Sequence, residues 1–135
     1  MDRELEDELA TILARLREQP ENHLPDEFKM LARETIEPAL EEIARRMQAS
    51  GYPCEVEEIV DQPDHEAGQS VCFLIDPKYN PTAHPLCFRL TPGEALVRME
   101  MPSAGAAYQT QKVPFTQITR DRVQRVAVEF LKHVV

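Results

Sequence analysis

Glycine is scarce in this chain, with four residues in 135, at positions 51, 68, 93 and 105. Loops that cradle phosphate are built from clustered glycines, so neither a P-loop nor a dinucleotide-binding fingerprint can be written here. No glycine-flanked serine elbow and no His-Glu-x-x-His pair occurs, which removes the common hydrolase and zinc-protease signatures. Long apolar runs are missing as well. Charges interrupt every hydrophobic segment well short of the about 20 residues that a membrane span needs. The opening MDRELEDELA has neither the basic start nor the apolar stretch of a secretion signal. The expectation is a cytoplasmic protein with no membrane contact.

Cysteine is limited to Cys54, Cys72 and Cys87. An odd number at irregular spacings, in a chain long enough to bury a core unaided, argues against a disulfide framework and for reduced thiols. With 42% hydrophobic and 29% charged residues, the chain reads as one globular domain over residues 1–135. Its net charge of −9 is uneven: residues 1–66 carry 19 acidic against 7 basic side chains, whereas residues 67–135 carry 5 against 8. An acidic surface repels phosphate backbones, which disfavours nucleic acid and leaves a basic protein as a compatible partner.

Periodicity supplies the elements. Leu5, Leu9, Ile12, Leu13 and Leu16 recur at helical steps and predict an amphipathic helix ending before Pro20. Phe28, Leu31, Ala32, Ile36, Ala39, Leu40, Ile43 and Met47 predict a second helix reaching Gly51. Pro38 falls inside it, where it removes a backbone donor, and the unbroken apolar phase favours a kinked continuous helix over two separate ones. The period then drops to two. CEVEEIV reads as a charged edge strand, SVCFLID and PLCFRL alternate, and EALVRMEM sets Ala95, Val97, Met99 and Met101 against Glu94, Leu96, Arg98 and Glu100. A fifth strand is expected within AAYQTQKV. Ile118, Val123, Val126, Ala127, Phe130, Leu131 and Val134 return to helical spacing, with Thr119 as cap. The predicted fold is α+β: two N-terminal helices, an antiparallel meander of four to five strands, and a C-terminal helix packed on one sheet face.

Strand alternation sorts Val71, Phe73 and Ile75 with Leu86, Phe88 and Leu90 as the core face, leaving Cys72 and Cys87 as cross-strand neighbours on the other. Cys72, His84 and Cys87 offer three zinc-type donors, with Cys54 or His65 as a fourth. Nothing in the spacing ties them together, and free cysteine commonly serves as a small apolar side chain. No metal and no cofactor is therefore expected. DQPDHEAG, residues 61–68, lacks the ligand spacing of a calcium loop. The proline-rich loop PKYNPTAHP is long for a hairpin and presents Lys78, Tyr79, Asn80 and His84 as a partner-facing tip. Leu74 and Leu96 are exposed apolar candidates on the second sheet face. Arg122, Arg125 and Lys132 share a face of the last helix, where the acidic N-terminal helices are expected to lie alongside.

These features favour a non-catalytic protein-binding or adaptor domain, with another protein, basic in character, as its partner. The alternative is a thiol- or zinc-dependent enzyme using Cys72, Cys87 and His84, and a weaker reading is an acidic mimic of nucleic acid. The first helix either packs on its own domain or pairs with its twin in a homodimer. In size, acidity and mixed α/β content the chain is similar to secretion-effector chaperones. Its strands run uninterrupted where those chaperones insert a helix, so no residue roles are carried over.

Overall fold

The computed structural model describes residues 2–18, 23–61, 68–80, 84–102 and 108–134. Helix α1 spans Arg3–Glu18, and a helical segment follows as α2 (Leu24–Leu31), a π-helical turn (Ala32–Ile36) and α3 (Glu37–Ala49). Strands β1 (Cys54–Ile59), β2 (Ser70–Ile75), β3 (Leu86–Leu90), β4 (Leu96–Pro102) and β5 (Tyr108–Pro114) precede helix α4 (Arg120–Val134). The sheet order is β1-β2-β3-β4-β5 with every neighbour antiparallel, which is the meander expected of strands joined in sequence. The expected fifth strand is present, and β1 is an edge. The segments 62–67, 81–83 and 103–107 lie outside the described residues, and with them most of the DQPDHEAG reading.

Why the second helix survives Pro38 follows from its apolar spacing. Phe28, Ala32, Ile36, Leu40 and Ala44 are all buried and stand four residues apart. In a straight α-helix, steps of four advance the stripe by about 40° each, enough to rotate the last residues off the core. A π turn at 32–36 is wider and takes up part of that drift. It also ends where proline needs it. The Glu37 amide donates back to the Ala32 carbonyl, and Pro38 enters the first turn of α3, where its missing donor costs little. The helix begins earlier than the pattern suggests, at Leu24, because Pro25 is also tolerated in a first turn.

The core lies between one sheet face and the α2–α3 and α4 helices. Val71, Phe73, Leu86, Phe88 and Val97 are fully buried, as are Phe28, Ile36, Leu40, Val123 and Phe130 from the helices. Phe73 and Phe130 meet edge-on, with ring centroids 6.0 Å apart at 78°. Thr119 caps α4 as its type predicts, its hydroxyl accepting the Arg122 amide at 3.2 Å. Gln124 fastens α4 to α3 through the Ala39 carbonyl at 3.4 Å and the Glu42 carboxylate at 2.8 Å. In the TPG turn, Gly93 adopts φ +72, as the third position of a type II turn requires, with Pro92 before it.

Two expectations need correcting. Helix α1 does not lie along α4: every residue from Asp2 to Leu16 is exposed, so among the described residues the roof of the sheet is built from α2, α3 and α4. The cations of α4 find nearer partners, Arg125 with Asp121 at 3.0 Å and Lys132 with Glu129 at 3.3 Å. The second correction concerns sulfur. Cys72 and Cys87 are not reduced; they form a disulfide on the face turned away from the core. Register explains it, because β2 and β3 place these residues directly opposite with Cα atoms 4.2 Å apart, the close spacing of a non-hydrogen-bonded pair. Irregular spacing along the chain is no bar once strand pairing brings the positions together. Only Cys54 is free among the three, half-buried, and burial pushes its thiol up.

The sequence separation of 15 residues across the disulfide gives a stabilisation of about 3 kcal/mol through restriction of the unfolded chain. The Cys72→Ser, Cys87→Ser double variant should lower the urea midpoint accordingly, and thiol titration of the unfolded, unreduced protein should find one free cysteine per chain. Three reactive thiols before reduction would contradict the assignment.

Candidate functional site

A helix end builds the first wall of the site. Helix α3 stops at the sequence Ser50-Gly51-Tyr52-Pro53: the Tyr52 amide donates to the Met47 carbonyl at 2.9 Å and the Gly51 amide to the Gln48 carbonyl at 3.0 Å, with Gly51 at φ +90. This is a Schellman cap, which only a residue free to enter the left-handed region accommodates easily. It turns the chain so that Tyr52 lies edge-on to Tyr79, ring centroids 5.1 Å apart at 75°. The Asp76 amide then donates to the Pro53 carbonyl at 3.1 Å, tying the cap to the end of β2.

The second wall is the loop after β2. Asp76 organises it, its carboxylate accepting the Lys78 amide at 2.9 Å and its carbonyl accepting the Tyr79 and Asn80 amides at 2.8 and 3.2 Å. Asn80 is buried rather than partner-facing, and its side-chain amide donates to the His84 carbonyl at 3.0 Å, closing the loop on itself. Between the two walls is a pocket of about 250 Å³ lined by Pro53, Glu55, Leu74, Ile75, Asp76, Pro77, Asn80, His84 and Pro85. Its lining is largely apolar and includes two carboxylates and an imidazole on exposed residues, Glu55, Asp76 and His84. Beside it, the Lys78 ammonium stands 5.6 Å from the centre of the Tyr79 ring.

The fold therefore gathers Leu74, Asn80 and His84 in one cavity, with Lys78 and Tyr79 at its shoulder. Leu96 is not among them. It pairs with Pro114 of β5 at the far side of the sheet, half-buried. Cys72 and Cys87 lie outside the pocket wall, their sulfurs committed to each other. Among the described residues no three His, Cys, Asp or Glu side chains gather as a metal site. Tyr52, Pro53 and Glu55 escaped the sequence reading; the Gly-Tyr-Pro sequence after a predicted helix was the available signal, since it marks a cap and a change of direction.

A second polar cluster braces the helices against the sheet edge. Arg33 donates to Glu58 of β1 at 2.8 Å and to Asp61 at 2.8 Å, and Lys29 pairs with Asp61. Glu58 is held below its ordinary range chiefly by the Arg33 guanidinium and by a hydrogen bond with Glu37. Glu37 moves oppositely, pushed up to about 8 by burial, by that hydrogen bond and by the charges of Glu58 and Glu41. Most carboxylates of the chain are expected to titrate normally on solvated helix faces. Glu37 departs because the π turn aims it at the sheet edge, where two carboxyl groups share one proton.

Linkage sets the sign of the pH response. Folded Glu37 holds its proton more tightly than the unfolded chain does, so its contribution is full below the unfolded value and is lost as pH rises towards about 8. Glu58 contributes above its unfolded value and loses that contribution in acid. Glu37→Gln keeps a donor for Glu58 without a titrating group. Urea midpoints for wild type should fall relative to this variant between about pH 5 and pH 8, and parallel curves would refute the shared proton. At the pocket, Asn80→Ala removes a buried donor and should cost about 1–2 kcal/mol, read by thermal unfolding. Comparison with known proteins adds no relative to this geometry: no family model, curated protein or solved structure matches the chain.

Proposed function

We propose that the protein is a non-catalytic protein-binding domain that seats a basic side chain of its partner in the pocket between the α3 cap and the β2–β3 loop. The size of that pocket carries the reading. At about 250 Å³ it lies at the lower margin of the range of about 300–1,000 Å³ typical of small-molecule and cofactor sites, and it accommodates one long side chain. Pro53, Leu74, Pro77 and Pro85 offer a surface for the methylene stem of lysine or arginine, and Glu55 and Asp76 at the rim offer counter-charges for its head. The exposed Tyr52 ring beside the opening adds the kind of aromatic contact that dominates protein interfaces. A partner of basic character also suits the excess of carboxylates in the first half of the chain.

The competing enzymatic reading requires thiolates at Cys72 and Cys87, and the disulfide withholds both. No helix among the described residues is long and apolar enough to cross a membrane. We assign the domain to the cytoplasm, and the disulfide is the observation standing against that assignment, since reducing compartments keep thiols reduced.

Titration with capped pentapeptides carrying one central arginine, lysine or glutamate tests the pocket by NMR. The arginine and lysine peptides should shift the Leu74 methyl and His84 ring signals, and the glutamate peptide should not. Glu55→Lys should weaken the response about tenfold. Equal response to all three peptides, or none at millimolar concentration, would remove the proposal.

A further inference from the structure

Helix α1 has the apolar stripe of a packed helix and the surroundings of a surface one. Leu5, Leu9, Ile12, Leu13 and Leu16 remain 43–53% exposed, and α1 makes no extensive contact with another element among the described residues. A helix of about 15 residues is marginal in water by itself and ordinarily takes its stability from packing an apolar face. The stripe therefore calls for a cover. The open face of the sheet is unsuitable, because its rows are polar: Arg89 lies opposite Arg98, and Arg98 opposite Lys112, while Glu57 and Glu100 flank the disulfide. An anionic membrane surface is also a poor cover, since Asp2, Glu4, Glu6, Asp7 and Glu8 crowd the first half of the helix.

We propose that α1 pairs with α1 of a second copy, antiparallel, about a two-fold axis passing between Ala10 and Thr11. Two independent symmetries of the sequence carry this. The apolar seam steps four, three and four residues through Leu5, Leu9, Ile12 and Leu16, and it is symmetric about that midpoint. Leu5 then meets Leu16 of the second copy and Leu9 meets Ile12, a self-complementary surface of the kind a two-fold dimer requires. Charge follows the same operator. Glu8 and Arg15 stand seven residues apart on one flank of the seam, so antiparallel packing brings each Glu8 to the Arg15 of the other copy, twice per dimer. Parallel packing would instead set the acidic first turns side by side and align the helix dipoles unfavourably.

The inference deepens the protein-binding reading by naming a second copy as one partner, and the two surfaces are separate, so each can fail alone. A contact between helices about 24 Å long lies at the small end of specific interfaces, which implies micromolar rather than nanomolar affinity. Sedimentation of the full chain from about 5 to 500 µM at low salt should show its mass rising from one chain towards two. Leu9→Glu should stay monomeric throughout with its thermal midpoint unchanged and its pentapeptide response intact. Glu8→Arg should weaken the dimer about fivefold or more, and adding Arg15→Glu should restore it to within about threefold, because the swapped pair again has opposite signs. A monomer at the highest concentration overturns the proposal, as does a dimer indifferent to Leu9→Glu. A double charge variant no tighter than Glu8→Arg would overturn the antiparallel arrangement.

Discussion

A slip of one residue between β2 and β3 would turn Val71, Phe73, Leu86 and Phe88 out of the core together. The alternation of side chains across a pleated sheet makes that register the constraint on which the rest depends. It is held from one side by the burial of these four residues against α3 and α4. From the other it is held by the covalent link between Cys72 and Cys87, which can form only in this pairing. The neighbouring β1–β2 register sets Leu74 opposite Glu55, and the Asp76 amide ties the end of β2 to the Pro53 carbonyl, so the pocket is a consequence of strand pairing.

The π turn couples the helical layer to this sheet. An apolar residue at every fourth position would drift around a straight helix, and the wide turn before Pro38 keeps Phe28, Ile36 and Leu40 on one side. The turn also aims Glu37 and Arg33 at the edge strand. Glu58 there lies on the core-facing side of β1, which explains a charge in a position that an internal strand would fill with an aliphatic residue. The resulting brace is conditional on protonation, since one carboxyl of the pair must keep its proton for the other to remain charged without repulsion.

The molecule shows two kinds of unspent surface, and they differ in chemistry. The pocket is small, concave and rimmed by carboxylates, suited to a single cationic side chain. Helix α1 is convex and apolar along one stripe, with opposite charges at its two ends, suited to itself. Under the two proposals together, a dimer would present two copies of the pocket at once, and avidity would raise a weak single-site affinity without any new contact.

Local chemistry made much of this visible in the chain itself. The alternating strands, the Thr119 cap and the amphipathic helices all follow from interactions within a few residues, and such interactions leave a trace in the sequence. The facing of Cys72 and Cys87 was legible too, but their bond was not, because the short distance between them comes from a pairing of strands. Glu37 looked like any solvated glutamate until the π turn and the edge strand surrounded it. Tyr52, Pro53, Asp76 and His84 are drawn from separate segments and converge only after α3 is capped and the sheet is paired. Contacts between neighbours in sequence were written in the order of residues, whereas contacts across the fold depended on which faces the core had already claimed.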